Sequence, residues 1–180
     1  MFQMAFLVSY AKDHDIDWYF QDQYYFLNNQ ELVRQLFSSD IPEYTDKVAI
    51  HIRRGKNPIN PNEPAYTDNS FYVDLCKTDY YERAIKSFPD QKFIVFSDDI
   101  EWCKLKWGMD DRFEFFHKDE ITDMNKMASC KGHIIANSSF SFWGAWLSPM
   151  FPKNKVIAPK LWYSDGDNSR TILPNHWTKI

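Results

Sequence analysis

Three short polar clusters hold the residue types that could handle an anion: His51-Ile52-Arg53-Arg54-Gly55, Ser97-Asp98-Asp99 and Asn137-Ser138-Ser139-Phe140-Ser141. The planar fork of an arginine gives two parallel charge-assisted bonds to a phosphate. An Asn-Ser-Ser run entering a helix offers hydroxyls, backbone N–H groups and the positive end of the helix dipole, a second anion device. Two such devices suit a diphosphate. The aspartates could accept hydrogen bonds from a ribose or a base edge, so the set resembles a nucleotide-sugar site. No G-x-x-x-x-G-K-[ST] run occurs, which disfavours a P-loop kinase, and no G-x-G-x-x-G run follows the first strand, which disfavours a dinucleotide site.

Each cluster also has a plainer reading. Arg53 and Arg54 could pair with surface carboxylates. Because successive strand residues point to opposite faces, one of them is expected to face a ligand while the other braces the sheet. Asp98-Asp99 could be a helix N-cap, or part of a divalent-metal site that lacks a third ligand. Ser138-Ser139 could be only a cap. His51 lies within an apolar run and could be a satisfied core histidine. Trp143, Trp146, Trp162 and Tyr163 could stack on a sugar ring, but core packing is the simpler role.

The elements that must position these clusters are legible from hydrophobic patterning. Lys47–Arg53, Lys92–Ser97, Phe113–His117, His133–Ala136 and Lys155–Ala158 read as strands, the most continuous of them as strands buried on both faces. Between them, Asp79 starts a helix, Asp98-Asp99 stands ahead of a helix over Ile100–Trp107, Thr122 or Asp123 caps a helix running to Cys130, and Phe140–Leu147 forms another. Asn28–Phe37 reads as a further helix, 56–70 as a proline-rich loop, Asp165-Gly-Asp-Asn as a surface turn, and the tail from Trp162 as irregular. Strands alternating with helices predict an α/β fold, a parallel sheet with helices on both faces. In such a sheet the carboxyl ends of the strands lie along one edge, where ligands bind, and all three polar clusters sit at carboxyl ends.

Composition limits the alternatives. The chain has 180 residues, 44% hydrophobic and 26% charged, which excludes a mainly disordered state and suits one domain, or a slightly oversized one. A formal charge of −4 supplies no field for nucleic acid. Cys76, Cys103 and Cys130 are odd in number and lack C-x-x-C spacing, so a disulfide scaffold or structural zinc is disfavoured and a reducing compartment fits. The apolar start at Met1–Ala11 lacks a basic region and a cleavage site, and no stretch approaches a membrane span. A cytoplasmic location is expected, with peripheral membrane contact left open.

Val48-Ala-Ile-His-Ile-Arg-Arg-Gly55, Val95-Phe-Ser-Asp-Asp-Ile-Glu-Trp-Cys103 and Ile134-Ile-Ala-Asn-Ser-Ser-Phe-Ser-Phe-Trp-Gly-Ala-Trp-Leu147 closely resemble three blocks of the α-1,2-fucosyltransferases of glycosyltransferase family 11. Val156–Trp162 is similar to that family's closing block, and Met1–Ala5 to the end of its first. The resemblance implies a GT-B fold, GDP-fucose as donor, inversion at the anomeric carbon, a galactose-terminated glycan as acceptor, and no metal or other cofactor. It implies that Arg53 binds the diphosphate and acts in catalysis, with Arg54 in support and His51 near the nucleotide. It implies that Asp123 contacts the guanine, and that Asn137, Ser138, Ser139 and Phe140 line the phosphates and fucose. The general base stays open among His51, Asp98 and an unplaced Asp or Glu. On this reading residues 1–45 are a remnant of the amino-terminal acceptor-side domain and 46–180 form the Rossmann-like GDP-fucose-binding domain. Two departures from the family pattern stand out: Lys56 occupies a position where the family usually has Asp, and the amino-terminal half is shortened. Three readings therefore compete: an active fucosyltransferase, an inactive donor-binding remnant, and a nucleotide-binding regulatory module.

Overall fold

A computed structural model describes residues 43–55, 72–167 and 173–180, all within the unit Ile41–Ile180. Expectations for Met1–Ala11, Asn28–Phe37, the 56–70 loop and Lys56 lie outside the described residues. Six parallel strands form one sheet: β1 Thr45–Ile52, β2 Phe93–Ser97, β3 Phe113–Phe115, β4 Cys130–Ile134, β5 Lys155–Ala158 and β6 Thr178–Lys179. Their spatial order is β3-β2-β1-β4-β5-β6. The chain runs outward in one direction from β1 to β3, then returns to the other side of β1. The gap between β1 and β4 is thus the topological switch point, the place where open α/β sheets bind ligands.

Among the described residues four α-helices cover the sheet: α1 Tyr80–Lys86, α2 Ile100–Trp107, α3 Glu120–Ala128 and α4 Ser139–Trp146. Alternation along the strands divides the core into two layers. Val48, Ile50, Ile52, Phe93 and Val95 pack with Tyr80, Tyr81, Ala84 and Cys103 of α1 and α2. Ala49, Ile94 and Phe96 face the other way, onto Met127 of α3, with Phe140 of α4 against the same cluster. An α/β fold with helices on both faces is therefore present, consistent with a GT-B-like architecture. Val48–Ile52 and Phe93–Ser97 are buried throughout, as strands covered on both faces require.

Element boundaries differ from expectation in several places. The third helix is capped by Asp119, whose Oδ1 accepts from Thr122 N at 2.9 Å, not by Thr122 or Asp123. That helix ends at Ala128, and β4 begins at Cys130 rather than at His133. β3 stops at Phe115, two residues short of His117. The tail is not wholly irregular, because Thr178–Lys179 adds a parallel edge strand beside β5. The turn at Asp165 is present, with Gly166 at φ 76° and Asp167 N donating to Asp165 Oδ1 at 3.0 Å.

Candidate active site

The register brings the polar clusters together. Ile52 pairs with Ser97, and Ile50 with Ile134. The loop leaving β1 therefore emerges between Asp98-Asp99 on one side and Asn137–Ser141 on the other. The His51 and Phe140 rings, 5.1 Å apart, close the β1–α4 side of this arrangement.

On the β2 side the two arginines part company. The Arg54 side chain is only 10% exposed; its Nε donates to Asp99 Oδ2 at 2.9 Å, and its guanidinium lies 4.2 Å from the centre of the Trp102 ring. This stacked, paired arginine braces α2 against the loop. Asp99 also caps α2, accepting from Trp102 N at 3.2 Å. Arg53 is 48% exposed and touches Asp98 Oδ2 through Nη1 at 3.1 Å. Asp98 further accepts the backbone N–H of Arg54 at 3.0 Å and of Gly55 at 2.9 Å. Gly55 sits at φ 72°, a left-handed turn that glycine adopts without a Cβ penalty.

On the β4 side, Ser138 is the N-cap residue of α4, yet its hydroxyl caps no N–H group. The hydroxyl that ties this turn is that of Ser141, which accepts from Ala136 N at 3.2 Å and lies 3.2 Å from the Ser138 carbonyl. The first-turn N–H groups of α4 thus remain without a side-chain cap, at the positive end of the helix. Ser139 is exposed, Ser138 and Phe140 half-buried. Asn137 is buried and spends its amide on two backbone carbonyls, those of Val73 at 2.8 Å and Trp162 at 3.0 Å. It ties two connecting segments to the end of β4.

His51 is buried, and its Nδ1 has no hydrogen-bond partner. Burial, with the Arg53 charge adding to it, pushes its pKa down to about 3. Its backbone carbonyl is held by the Tyr81 hydroxyl at 3.1 Å. The Tyr80 hydroxyl similarly reaches the carbonyls of Ile135 at 2.7 Å and Ile157 at 3.1 Å. Neither tyrosine was legible as a site-supporting residue; a Tyr-Tyr pair opening a helix reads as ordinary core. Asp123 is buried in the first turn of α3. Its Oδ1 accepts from Lys118 N at 2.9 Å, and its Oδ2 lies 3.3 Å from His117 Nδ1. Burial raises its pKa against the opposing pull of the Lys118 N–H and His117. Trp143, Trp146 and Trp162 are buried in the core. Burial pushes the pKa of each cysteine thiol up to about 12, leaving the thiols unreactive. Among the described residues no three His, Cys, Asp or Glu side chains cluster as a metal site would need, and no helix is long and apolar enough to cross a membrane.

The chain is 34% identical to an alpha-1,2-colitosyltransferase of Escherichia coli over 90% of its own length and 61% of the relative's. It is 32% identical to the O-antigen biosynthesis glycosyltransferase WbnK of Escherichia coli over 81% of its length and 48% of that protein's. The chain therefore spans about half to three-fifths of these relatives. No solved structure matches it significantly. The family model for glycosyl transferase family 11 matches residues 2–180. With nearly the whole chain covered by that model, and with the arginine and serine clusters meeting at one sheet edge, the chain belongs to glycosyltransferase family 11.

Proposed function

We propose that this chain provides the donor site of an inverting glycosyltransferase that moves L-fucose, or a closely related 6-deoxy sugar, from its GDP derivative to the 2-hydroxyl of a galactoside. The observation that carries the reading is the switch-point arrangement: a half-exposed Arg53 on one side, and the α4 N-terminus without a side-chain cap on the other. The name of the colitosyltransferase relative supports a deoxy-sugar donor and an α-1,2 product. Colitose is fucose without its 3-hydroxyl, so the two donors make a matched pair for testing.

In this mechanism the sugar leaves with oxocarbenium character and negative charge grows on the β-phosphate. Arg53 and the N–H groups at Ser139 and Phe140 receive that charge where it develops, an electrostatic role that costs no reorganisation during the reaction. Ser138 and Ser139 hydroxyls bind the phosphate oxygens, and Phe140 lines the sugar. The acceptor hydroxyl attacks from the opposite face and inverts the anomeric centre. His51, with a pKa near 3, is too weak a base to take the acceptor proton efficiently near neutral pH. Asp98 is occupied by three donors. The base is therefore assigned to another Asp or Glu. Residues 46–180 serve as the donor-binding domain, with Asp123 contacting the guanine of the donor.

The test is calorimetric titration with GDP, followed by transfer from radiolabelled GDP-fucose and GDP-colitose to lactose and N-acetyllactosamine. Saturable GDP binding with transfer from one donor supports the reading. Absence of GDP binding overturns it. Binding without transfer favours the second reading, an inactive donor-binding remnant.

A further inference from the structure

In a Rossmann fold with a glycine-rich first turn, backbone N–H groups after the first strand approach the pyrophosphate directly. Here the corresponding groups are already engaged. The N–H groups of Arg54 and Gly55 converge on the two oxygens of one carboxylate, Asp98 Oδ1 at 3.0 Å and Oδ2 at 2.9 Å. That carboxylate belongs to the residue that follows β2, so it bridges two strand ends more than forty residues apart in sequence. The same Oδ2 holds Arg53 Nη1 at 3.1 Å. Asp98 is only 18% exposed, whereas Arg53 is 48% exposed. One end of the contact is thus anchored and the other reaches toward solvent.

Two consequences follow from the charge. An anion arriving over the end of β1 meets a resident carboxylate in the N–H pair, so the backbone of Arg54 and Gly55 cannot cradle a phosphate. The arginine is different. A guanidinium has five donors, and Asp98 takes one, leaving the others for a second anion. Fixing one corner of a long side chain in advance also removes much of the ordering cost of binding, worth up to roughly tenfold in affinity for one side chain.

We infer that Asp98 is a positioning residue: it fills the backbone N–H pair after β1 and aims the Arg53 guanidinium at the donor diphosphate, so that phosphate charge is received by Arg53 and the α4 N-terminus instead of by that N–H pair. The inference deepens the nucleotide-sugar reading and rests on it. It assigns Asp98 no contact with ribose or base.

The test is a double-mutant cycle on GDP affinity, measured by calorimetry, with Arg53→Ala, Asp98→Asn and the double variant. If Asp98 acts through Arg53, Asp98→Asn weakens GDP binding about tenfold in the wild-type background and less than twofold in the Arg53→Ala background. A loose structural tie, or direct contact of Asp98 with the nucleotide, would give the same factor in both backgrounds and would overturn the inference, as would no effect in either. Asp98→Glu, which keeps the charge but displaces it by one methylene, serves in the same cycle should the amide variant unfold. Amide hydrogen exchange reads the clamp without any ligand. Protection at Arg54 and Gly55 in the wild type, lost together in Asp98→Asn, supports it; unprotected amides in the wild type refute it. A wild type that binds no GDP overturns the nucleotide-sugar reading, and the clamp is then judged on those two amides alone.

Discussion

Consecutive residues leaving a strand diverge, and at Arg53 and Arg54 that divergence separates function from stability. Arg54 is stacked on Trp102 and bonded to Asp99. Arg54→Ala leaves Asp99 with a partly buried, uncompensated charge and strips Trp102 of its cover. Unfolding in urea should show a loss of about 2–3 kcal/mol, somewhat under the range for fully buried pairs because Asp99 is a third exposed. Lysine at position 54 should recover little, since it lacks both the planar face and the geometry of the Nε bond. Arg53→Ala removes a half-exposed guanidinium and leaves Asp98 its two backbone N–H donors, so its stability should stay within about 0.5 kcal/mol of wild type. Its GDP affinity should fall at least tenfold, the scale of a lost charge-assisted contact of about 1.5–3 kcal/mol. Calorimetry and urea melts on the same two variants separate the roles; swapped outcomes would reverse the assignment. That one arginine would brace and the other face outward was readable from strand alternation. Which of them did which was not, because the deciding partners, Asp99 and Trp102, lie nearly fifty residues away.

At the scale of elements, α4 depends on a close approach to α3. A Cβ built on Gly144 would lie 2.5 Å from Met127 Sδ and 2.9 Å from its Cγ. Met127 is itself fully buried, so its side chain must move for Gly144→Ala to be accommodated. The cost should be about 1–2 kcal/mol, the usual penalty of overpacking. Combined with Met127→Ala, the loss should be clearly less than additive, because removing the methionine chain frees the space. Additive losses in a denaturant cycle would place the clash elsewhere. The same packing explains what the sequence concealed at this level. The continuous apolar runs at Val48–Ile52 and Phe93–Ser97 left little choice but buried strands. β4 was harder to read, since Lys131 and Gly132 break its pattern. Gly132 is accommodated there by the Phe88 ring and the Lys155 carbonyl, which would stand 3.0 and 3.2 Å from a Cβ. The α3 cap was ambiguous because Asp119, Thr122 and Asp123 are all capping types, and only the fold selects Asp119. Two polar residues, Thr178 and Lys179, carry no strand signal of their own; β5 recruits them.

For the molecule as a whole, two histidines buried on the same side of the sheet set an acid limit. His51 packs on Phe140. His133 donates from Nε2 to the Met127 carbonyl at 2.9 Å, and its Nδ1 faces Asn154 Nδ2 at 3.3 Å. Burial lowers their pKa values to about 3 and about 4. The Met127 carbonyl opposes the shift at His133 without cancelling it. Both rings therefore stay neutral in the folded chain while the unfolded chain takes up protons below about pH 6.5. Where the unfolded state binds more protons, stability rises with pH. Stability should accordingly fall as the pH drops from about 6.5 toward 4, with a limiting slope of about 2.7 kcal/mol per unit for two protons. Asp123 acts with the opposite sign, because its raised pKa lets the folded state hold a proton that the unfolded state releases; it softens the acid end of that window. Urea melts between pH 7 and pH 4.5 measure the slope directly. In His133→Asn, which keeps a polar side chain in place of the ring, the slope should drop by about one proton even if absolute stability also falls. An unchanged slope would mean that His133 is charged in the folded protein, and that the neutral bridge between β4 and the end of α3 does not exist.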